Sequence, residues 1–203
     1  MRALLRTFGE LSITAGVVLA LFCAYLLWGT GAYTERQQRL LERQLGADGG
    51  AGQAAITPGR AMALLRIPRL GRDYRYAVVE GITPDHLKKG PGHHPDSALP
   101  GQIGNFVISG HRTTYAAPFN RIDALERGDE IFVEARGARY TYRVTAQEIV
   151  APTAVDVLAP VPGRPGRPAL QAVITLTTCH PEYSAAQRLI VHGVLTSTQP
   201  RKA

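Results

Sequence analysis

The sequence is poor in cysteine, and this scarcity excludes disulfide-built domains. Only Cys23 and Cys179 occur among its 203 residues, so a framework of several disulfides is impossible. Zinc-site spacings such as Cys-x-x-Cys or His-x-x-x-His are also missing, and we expect no metal site. A lone thiol such as Cys179 is either a buried packing residue or a working group.

Acidic residues are outnumbered, 16 against 23 basic ones, which gives a formal charge of +7. Such a surplus favours anionic lipid, acidic wall polymers or nucleic acid, and by itself selects none of them. The segment from Gly163 to Pro168 resembles a basic minor-groove hook, but its Gly and Pro residues between two strands favour a long loop. We therefore expect no nucleic-acid partner.

One long apolar run lies near the N terminus. From Leu11 to Thr34 there is no charged residue, and about 20 such residues are enough for a helix to cross a bilayer. Trp28 and Tyr33 fit the aromatic belt at a membrane interface. We predict a cytoplasmic tail at 1–10 and a transmembrane anchor at 11–33. A cleaved signal peptide is the alternative, although its apolar stretch is usually only about 7–15 residues long.

The chain after the anchor divides into three further parts. The pattern from Glu35 to Leu45 predicts a short exposed helix, and the glycine-rich run that begins at Gly46 predicts a flexible tether. We assign 34–59 to this helix and linker, 60–197 to a globular domain and 198–203 to a tail. Arginines on both sides of the anchor leave its orientation undecided, so an extracytoplasmic domain depends on the chemistry below.

Beyond residue 60 the signals are mostly those of short β-strands between Gly and Pro clusters. Seven or eight short strands with little helix predict an all-β closed barrel or a sandwich. Short helical turns are expected at Asp85–Lys89 and Arg121–Glu126. The predicted strands are Ala61–Ile67, Tyr74–Val79, Asn105–Ser109, Glu130–Ala135, Tyr140–Val150, Leu170–Thr178 and Arg188–Thr196.

The last two predicted strands place a thiol beside a guanidinium. Side chains alternate along a strand, so Thr175, Thr177 and Cys179 share one face. If the strands pair antiparallel, Cys179 at the end of one lies alongside Arg188 at the start of the next. A guanidinium there favours the thiolate and can stabilise the oxyanion formed by attack on a carbonyl. A simple hairpin with an edge cysteine and a solvated arginine remains the alternative.

A cysteine nucleophile also needs a proton donor for the leaving amine, usually a histidine. Of the six histidines, His111 closes an apolar strand at Gly110, where a rigid sheet presents side chains to a cleft. His180 follows the cysteine and points to the other face. Three others, His86, His93 and His94, lie in a Gly/Pro-rich loop and are expected at the surface.

These residues resemble a known family. Thr175-Leu176-Thr177-Thr178-Cys179 followed by Arg188 resembles the sortase signature of a Thr-Leu-x-Thr-Cys strand end with an arginine opening the next strand. Ser109-Gly110-His111-Arg112 matches the histidine motif of that family. Longer runs around residues 90–93, 110–119 and 178–181 are most similar to class E sortases of actinobacteria.

The resemblance implies a membrane-anchored cysteine transpeptidase with an eight-stranded β-barrel. It makes Cys179 the nucleophile, His111 the acid and base, and Arg188 the stabiliser of the tetrahedral intermediate. The substrate would be a C-terminal sorting signal of the Leu-Ala-x-Thr-Gly or Leu-Pro-x-Thr-Gly type, and the acceptor an amine of a peptidoglycan precursor. No cofactor is implied.

The resemblance also assigns substrate contacts to Thr177, Thr178, Tyr115 and His94. Class E sequences often carry a tyrosine at the position of His94, linked to reading the second residue of the signal, so the choice between Ala and Pro stays open. An L,D-transpeptidase-like wall enzyme and a non-catalytic wall-binding β-domain are the alternatives. The first would be expected to carry a Ser-His-Gly-Cys type motif, and the second predicts that Cys179 is dispensable.

Overall fold

Two helices precede eight β-strands. The computed structural model describes residues 2–25, 29–47, 56–135 and 137–200. The helices are α1 at Arg2–Ala24 and α2 at Thr30–Ala47, and a short α3 spans Pro84–Leu87. Single 3-10 turns lie at Pro68–Leu70, Ile122–Ala124 and Val155–Leu158. The strands are β1 Ala61–Arg66, β2 Arg75–Glu80, β3 Gly92–His93, β4 Gly104–Ser109, β5 Glu130–Ala135, β6 Ala138–Val150, β7 Ala172–His180 and β8 Gln187–Pro200.

The strands close into a barrel in the order β1-β2-β3-β4-β7-β8-β6-β5. Two neighbouring pairs, β2 with β3 and β4 with β7, are parallel, and the remaining pairs are antiparallel. Closure leaves no free sheet edge. The expected eight-stranded all-β barrel is confirmed.

Alternating apolar side chains fill the barrel. In β7, Ile174 and Leu176 are fully buried in the core, while Thr175 and Thr177 lie on the opposite face outside that cluster, as predicted. Full burial of one such aliphatic side chain contributes about 1.5–3 kcal/mol. Other fully buried core residues are Leu65, Phe106, Ile108, Phe119, Ile122 and Ile131.

Two strands, β3 and β8, differ from the prediction. Strand β3 is only two residues long, too short to give a periodic pattern. A Cβ at Gly92 would clash with the Gly81 carbonyl oxygen. Strand β8 continues to Pro200, which pairs with Ala138 of β6. The prediction of a tail beginning at residue 198 was therefore wrong, because residues 198–200 belong to the β6–β8 ladder.

Helix α2 is not the exposed helix that was predicted, because one of its faces packs on the barrel. Leu41 is 4% exposed and clusters with Ala77 and Val79 of β2. The side-chain amide of Gln38 makes two hydrogen bonds to the backbone of Ala77 in β2. Its Nε2 donates to Ala77 O (3.0 Å), and its Oε1 accepts from Ala77 N (2.7 Å). Thr34 Oγ1 donates to Lys88 O (2.7 Å). Packing through polar side chains of this kind cannot be predicted from the pattern of hydrophobic residues.

The candidate membrane span lies earlier than predicted, at Arg6–Ala24 of α1, the one helix of the described chain long and apolar enough to cross a bilayer. Its two charges, Arg6 and Glu10, pair at 2.9 Å one turn apart. The residues after 29 belong to α2 instead. Gly46 and Ala47, which we predicted to begin the tether, belong to α2. Trp28 and residues 48–55 lie outside the described residues.

Candidate active site

The ends of three adjacent strands, β4, β7 and β8, meet at one end of the barrel, which we call the barrel edge. Cys179 near the end of β7 is the register partner of Arg188 near the start of β8. Strand β4 runs parallel to β7 with Ser109 beside Thr177, and Gly110 N donates to Thr177 O at 3.1 Å. His111 follows directly, next to the strand end that carries Cys179. The pairing expected for Cys179 and Arg188 is confirmed.

Gly110 is a glycine for reasons of space. A Cβ there would lie 2.6 Å from the ring of Phe119, which is fully buried. Thr178 Oγ1 donates to Gly110 O at 2.8 Å and ties the end of β7 to the same point. The backbones on both sides of the candidate nucleophile and histidine are thus fixed to each other.

Each of the three candidate catalytic side chains is partly exposed at this edge. Arg188 Nη1 donates to the carbonyl oxygens of Ala185 (3.0 Å) and Gln187 (2.9 Å), within its own loop. None of the described residues forms a hydrogen bond with Cys179 Sγ or with the His111 ring. Strand register therefore pairs Cys179 with Arg188, and the bonds that Gly110 makes to β7 bring His111 to the same strand ends. No hydrogen bond joins the three side chains.

Burial lowers the pKa of His111. One neighbour that covers it is Tyr115, whose ring centroid lies 5.0 Å from that of the imidazole at an interplanar angle of 38°. A lowered pKa keeps the imidazole neutral at neutral pH. In that form His111 can accept a proton from a thiol and pass it to an amine.

Arg112 is a buried residue of the site that received no role from the sequence. It is 5% exposed, and its Nη2 pairs with Asp123 Oδ2 at 3.0 Å. Its Nη1 donates to Cys179 O (3.5 Å) and to His180 Nδ1 (3.3 Å). The guanidinium thus fastens the loop after β4 to the backbone of Cys179. Its place directly after His111 was the only signal available.

The residues predicted to contact substrate occupy different environments. Thr178 is 3% exposed, and its hydroxyl already donates to Gly110 O, so only its oxygen lone pairs remain to accept a hydrogen bond. Thr177 is also buried. His94 is half-buried, and its Nε2 lies 2.8 Å from Ser109 Oγ. Burial and the neighbouring His93 lower the pKa of His94, and Asp96 opposes them.

His93 is fully buried, so the surface position expected for it was wrong. Its Nδ1 lies 2.7 Å from Glu80 Oε2, and its Nε2 lies 2.9 Å from Ser97 Oγ. A buried carboxylate and imidazole satisfy each other in this way, which a loop pattern does not reveal. The pair anchors the strand segment that precedes His94.

A polar network on the outer face holds the long β6–β7 loop. Asn105 Nδ2 donates to Val157 O (3.2 Å) and Ala159 O (3.0 Å) in that loop. Thr175 Oγ1 donates to Asn105 Oδ1 (2.7 Å) and lies 3.0 Å from His192 Nδ1. These residues share the face of β4, β7 and β8 that carries Cys179. The β6–β7 loop is therefore attached to the same outer face of the barrel, at the start of β4.

Within the described ranges, no group of three His, Cys, Asp or Glu side chains is arranged to hold a metal ion. The chemistry available is that of a thiol, a neutral imidazole and a guanidinium. Together they can carry out nucleophilic attack, proton transfer and charge stabilisation.

Comparison with known proteins gives the family. The Sortase domain profile matches residues 65–196. Sortase SrtE1 of Streptomyces coelicolor is 36% identical over 207 residues, covering 97% of this chain and 58% of that protein. The chain thus spans little more than half the length of this relative.

Two solved structures are also similar. Sortase E from Streptomyces avermitilis has a TM-score of 0.65 and 41% identity, covering 71% of this chain and 93% of that one. Sortase E1 from Streptomyces coelicolor with a tripeptide in the active site has a TM-score of 0.64 and 37% identity, covering 72% of this chain and 94% of that one. The profile, the sequence similarity and the shared barrel together show that this chain belongs to the sortase family.

Proposed function

We propose that this protein is a membrane-anchored cysteine transpeptidase. It cleaves a C-terminal sorting signal of the Leu-Ala-x-Thr-Gly or Leu-Pro-x-Thr-Gly type between Thr and Gly, and transfers the new Thr carboxyl end to an amine of a cell-wall precursor. The observation that carries the proposal is the meeting of His111, Cys179 and Arg188 at the ends of three adjacent strands. A tripeptide in the active site of a similar sortase E1 supports a peptide substrate.

The first half-reaction forms a thioester. The Cys179 thiol gives its proton to neutral His111 as Sγ attacks the Thr carbonyl carbon, and the carbonyl oxygen becomes an oxyanion. His111 then passes the proton to the Gly nitrogen, the Thr–Gly bond breaks, and the glycine-side fragment leaves as an amine. The lowered pKa of His111 supports this role because the base starts out unprotonated.

The second half-reaction reverses the proton path. The acceptor amine attacks the thioester carbonyl carbon and gives its proton to His111, and an amide bond forms as the bond to Cys179 Sγ breaks. His111 returns the proton to the sulfur. No oxidant, reductant or metal enters either step, so protons and electrons balance.

Arg188 stabilises the oxyanion in both half-reactions. Among the described residues, this side chain makes two hydrogen bonds, both from Nη1, to Ala185 O and Gln187 O. A guanidinium has five N–H donors, so Nε and Nη2 remain able to donate to a developing negative charge. The loop carbonyls hold the guanidinium at the start of β8, where the backbone of Arg188 pairs with that of Cys179.

Helix α1 is the proposed membrane anchor, with the barrel outside the cytoplasmic membrane. The window Arg6–Ala24 has the length and composition of a span. An external barrel is where a sorting signal on an exported protein and a wall-precursor amine are both accessible. Placing the enzyme there follows from the proposed substrates.

A product assay tests the function. The full chain in detergent is incubated with a Leu-Ala-x-Thr-Gly or Leu-Pro-x-Thr-Gly peptide and a small primary amine, and products are identified by mass spectrometry. We expect scission after Thr and an amide between Thr and the amine, from either peptide or both. Cys179→Ala abolishes both products, whereas Cys23→Ala, the matched change of the other cysteine, leaves them. Intact peptides with the folded wild-type protein would refute the function.

A further inference from the structure

The loop that follows the candidate histidine is strained. We call residues 112–120 the histidine loop. Within it three successive residues other than glycine, Tyr115 (φ 53°), Ala116 (φ 59°) and Ala117 (φ 43°), have left-handed backbone. L-residues adopt this conformation at a cost in free energy, because the Cβ approaches the backbone carbonyl. Such a run persists only where surrounding contacts hold it, and it occurs preferentially at functional sites.

Two tyrosines near or on β2 hold one side of the histidine loop. Tyr76 OH donates to Ala116 O at 3.2 Å, and Tyr74 OH donates to Pro118 O at 2.8 Å. Burial raises the pKa of both phenols, which keeps them protonated as donors. Tyr76 also feels the negative charge of Glu35, so α2 comes close to this contact.

The third support comes from α2 itself. Tyr115 N donates to Thr30 Oγ1 at 3.4 Å, and Thr30 is only 5% exposed. Thr30 is in turn fixed by the docking of its helix, since Thr34 bonds Lys88 O and Gln38 Nε2 bonds both Ala77 O and Lys89 O (2.8 Å). The first residue of the helix after the proposed anchor thus reaches the residue whose ring covers His111.

The imidazole depends on packing for its orientation. None of the residues that the structure describes gives the His111 ring a hydrogen bond, whereas its neighbour Tyr115 lies ring to ring with it at 5.0 Å. A general acid and base must be aimed at the atoms between which it moves protons, and small misplacements lower the rate. The position of the Tyr115 ring is set by its strained backbone, which Thr30 helps to hold.

We propose that α2 is a positioning element of the active site, in which Thr30 holds Tyr115 and the Tyr115 ring orients and buries the His111 imidazole. The inference rests on the proposed role of His111 as acid and base. It gives Tyr115 a positioning role in place of the substrate contact expected from the sequence. It also couples the segment next to the membrane to the chemistry at the barrel edge.

The test compares Thr30→Val, which removes the hydrogen-bond acceptor at nearly constant shape, with Thr30→Ser, which restores it. Thr196→Val is the control, because it makes the same substitution at a threonine whose hydroxyl bonds the backbone away from the histidine loop: Thr196 Oγ1 donates to Thr141 O at 3.0 Å. The full chain is labelled at histidine and titrated by NMR, with the His111 signal assigned through His111→Gln. Peptide transfer is measured in parallel.

We expect Thr30→Val to move the pKa of His111 upward toward its ordinary value and to lower kcat about tenfold, the scale of one lost hydrogen bond, with KM little changed. Thr30→Ser should restore both values, and Thr196→Val should leave the His111 titration as in wild type. A folded Thr30→Val protein with wild-type titration and kcat would overturn the proposal.

A second pair of variants keeps the test sharp if Thr30→Val unfolds the protein. Tyr115→Asn removes the ring but tolerates the left-handed backbone, and Tyr115→Phe keeps the ring. The Asn variant should raise the pKa of His111 and the Phe variant should not; equal titrations would contradict the proposal. Should the wild-type chain transfer no peptide while these shifts occur, the positioning role stands and the transpeptidase function falls.

Discussion

Arg188 is held by backbone carbonyls of its own loop, and its removal leaves no buried group without a partner. Ala185 and Gln187, which accept from it, are both exposed residues. The fold should therefore survive Arg188→Ala. Because the guanidinium is proposed to bind the oxyanion, kcat/KM should fall about 10²–10³-fold, as for loss of one such donor elsewhere.

Steady-state kinetics and thermal melting monitored by circular dichroism check this prediction for Arg188. The matched control is Arg72→Ala, which removes an exposed arginine from the turn before β2. Kinetics equal to wild type in a folded Arg188→Ala protein would remove the arginine from the mechanism.

Two half-buried histidines should make stability depend on pH. Burial lowers the pKa of both His111 and His94 in the folded protein, so the unfolded chain binds more protons as pH falls through its ordinary histidine pKa of about 6.5. The free energy of unfolding is then full above that pH and decreases below it. Urea titrations between about pH 7.5 and 5.5 should show this decrease, and His94→Gln should reduce it. An unchanged slope in that variant would contradict the assignment.

At the residue scale, side-chain alternation was sufficient to pair Cys179 with Arg188. The apolar run ending at Gly110 likewise selected His111 from six histidines. Arg112 was out of reach because its partners Asp123 and Cys179 lie on a different turn and strand. Contacts that depend on closure of the barrel have no local pattern.

At the scale of elements, Asn105 on β4 is what fastens the β6–β7 loop. Asn105→Ala removes the donors to Val157 O and Ala159 O and the acceptor at Thr175 Oγ1, which keeps only His192 Nδ1 within hydrogen-bond distance. We expect a loss of about 1–3 kcal/mol in the free energy of unfolding, the cost of such buried groups. Amide hydrogen exchange should rise at Val155–Leu158 and stay at wild-type rates in β1 and β5. Unchanged protection of the 3-10 turn would show that other contacts hold the loop.

Long strands were predictable and short or docked elements were not. Strand β5 at Glu130–Ala135 matches its predicted bounds, because a run of β-prone residues, Ile131 to Val133, follows the turn residues Gly128 and Asp129. Strand β3 has only two residues and no period. Helix α2 contacts the barrel through the polar residues Thr34 and Gln38. Because polar residues usually face solvent, the sequence predicted an exposed helix there.

At the scale of the whole molecule, the two cysteines report the orientation of the chain in the membrane. Cys23 lies within the candidate span and Cys179 at the barrel edge, partly exposed. With the barrel outside, a membrane-impermeant maleimide should label Cys179 in intact cells that make the Cys23→Ala protein. The Cys179→Ala protein, which keeps Cys23 in the bilayer, should stay unlabelled. Labelling of Cys179 only after lysis would place the barrel in the cytoplasm.

The all-β class was accessible from sequence because seven or eight short strands with Gly and Pro punctuation leave a closed barrel or a sandwich. The resemblance to sortases selected the eight-stranded barrel. The sequence did not indicate how the helix after the proposed anchor contacts the barrel. The structure places the start of α2 against the histidine loop through Thr30 and Tyr115. The molecule is thus a barrel whose candidate active site is contacted by the helix that follows its proposed anchor.

Capture of the acyl-enzyme tests the mechanism most directly. The full chain is mixed with a sorting-signal peptide without added amine, quenched in acid, and analysed by intact and peptide-level mass spectrometry. We expect a mass increase equal to the peptide that ends at Thr, less one water, located on Cys179 and removed by hydroxylamine. Cleaved peptide with no adduct on Cys179, or with the adduct on another residue, would contradict catalysis by this thiol.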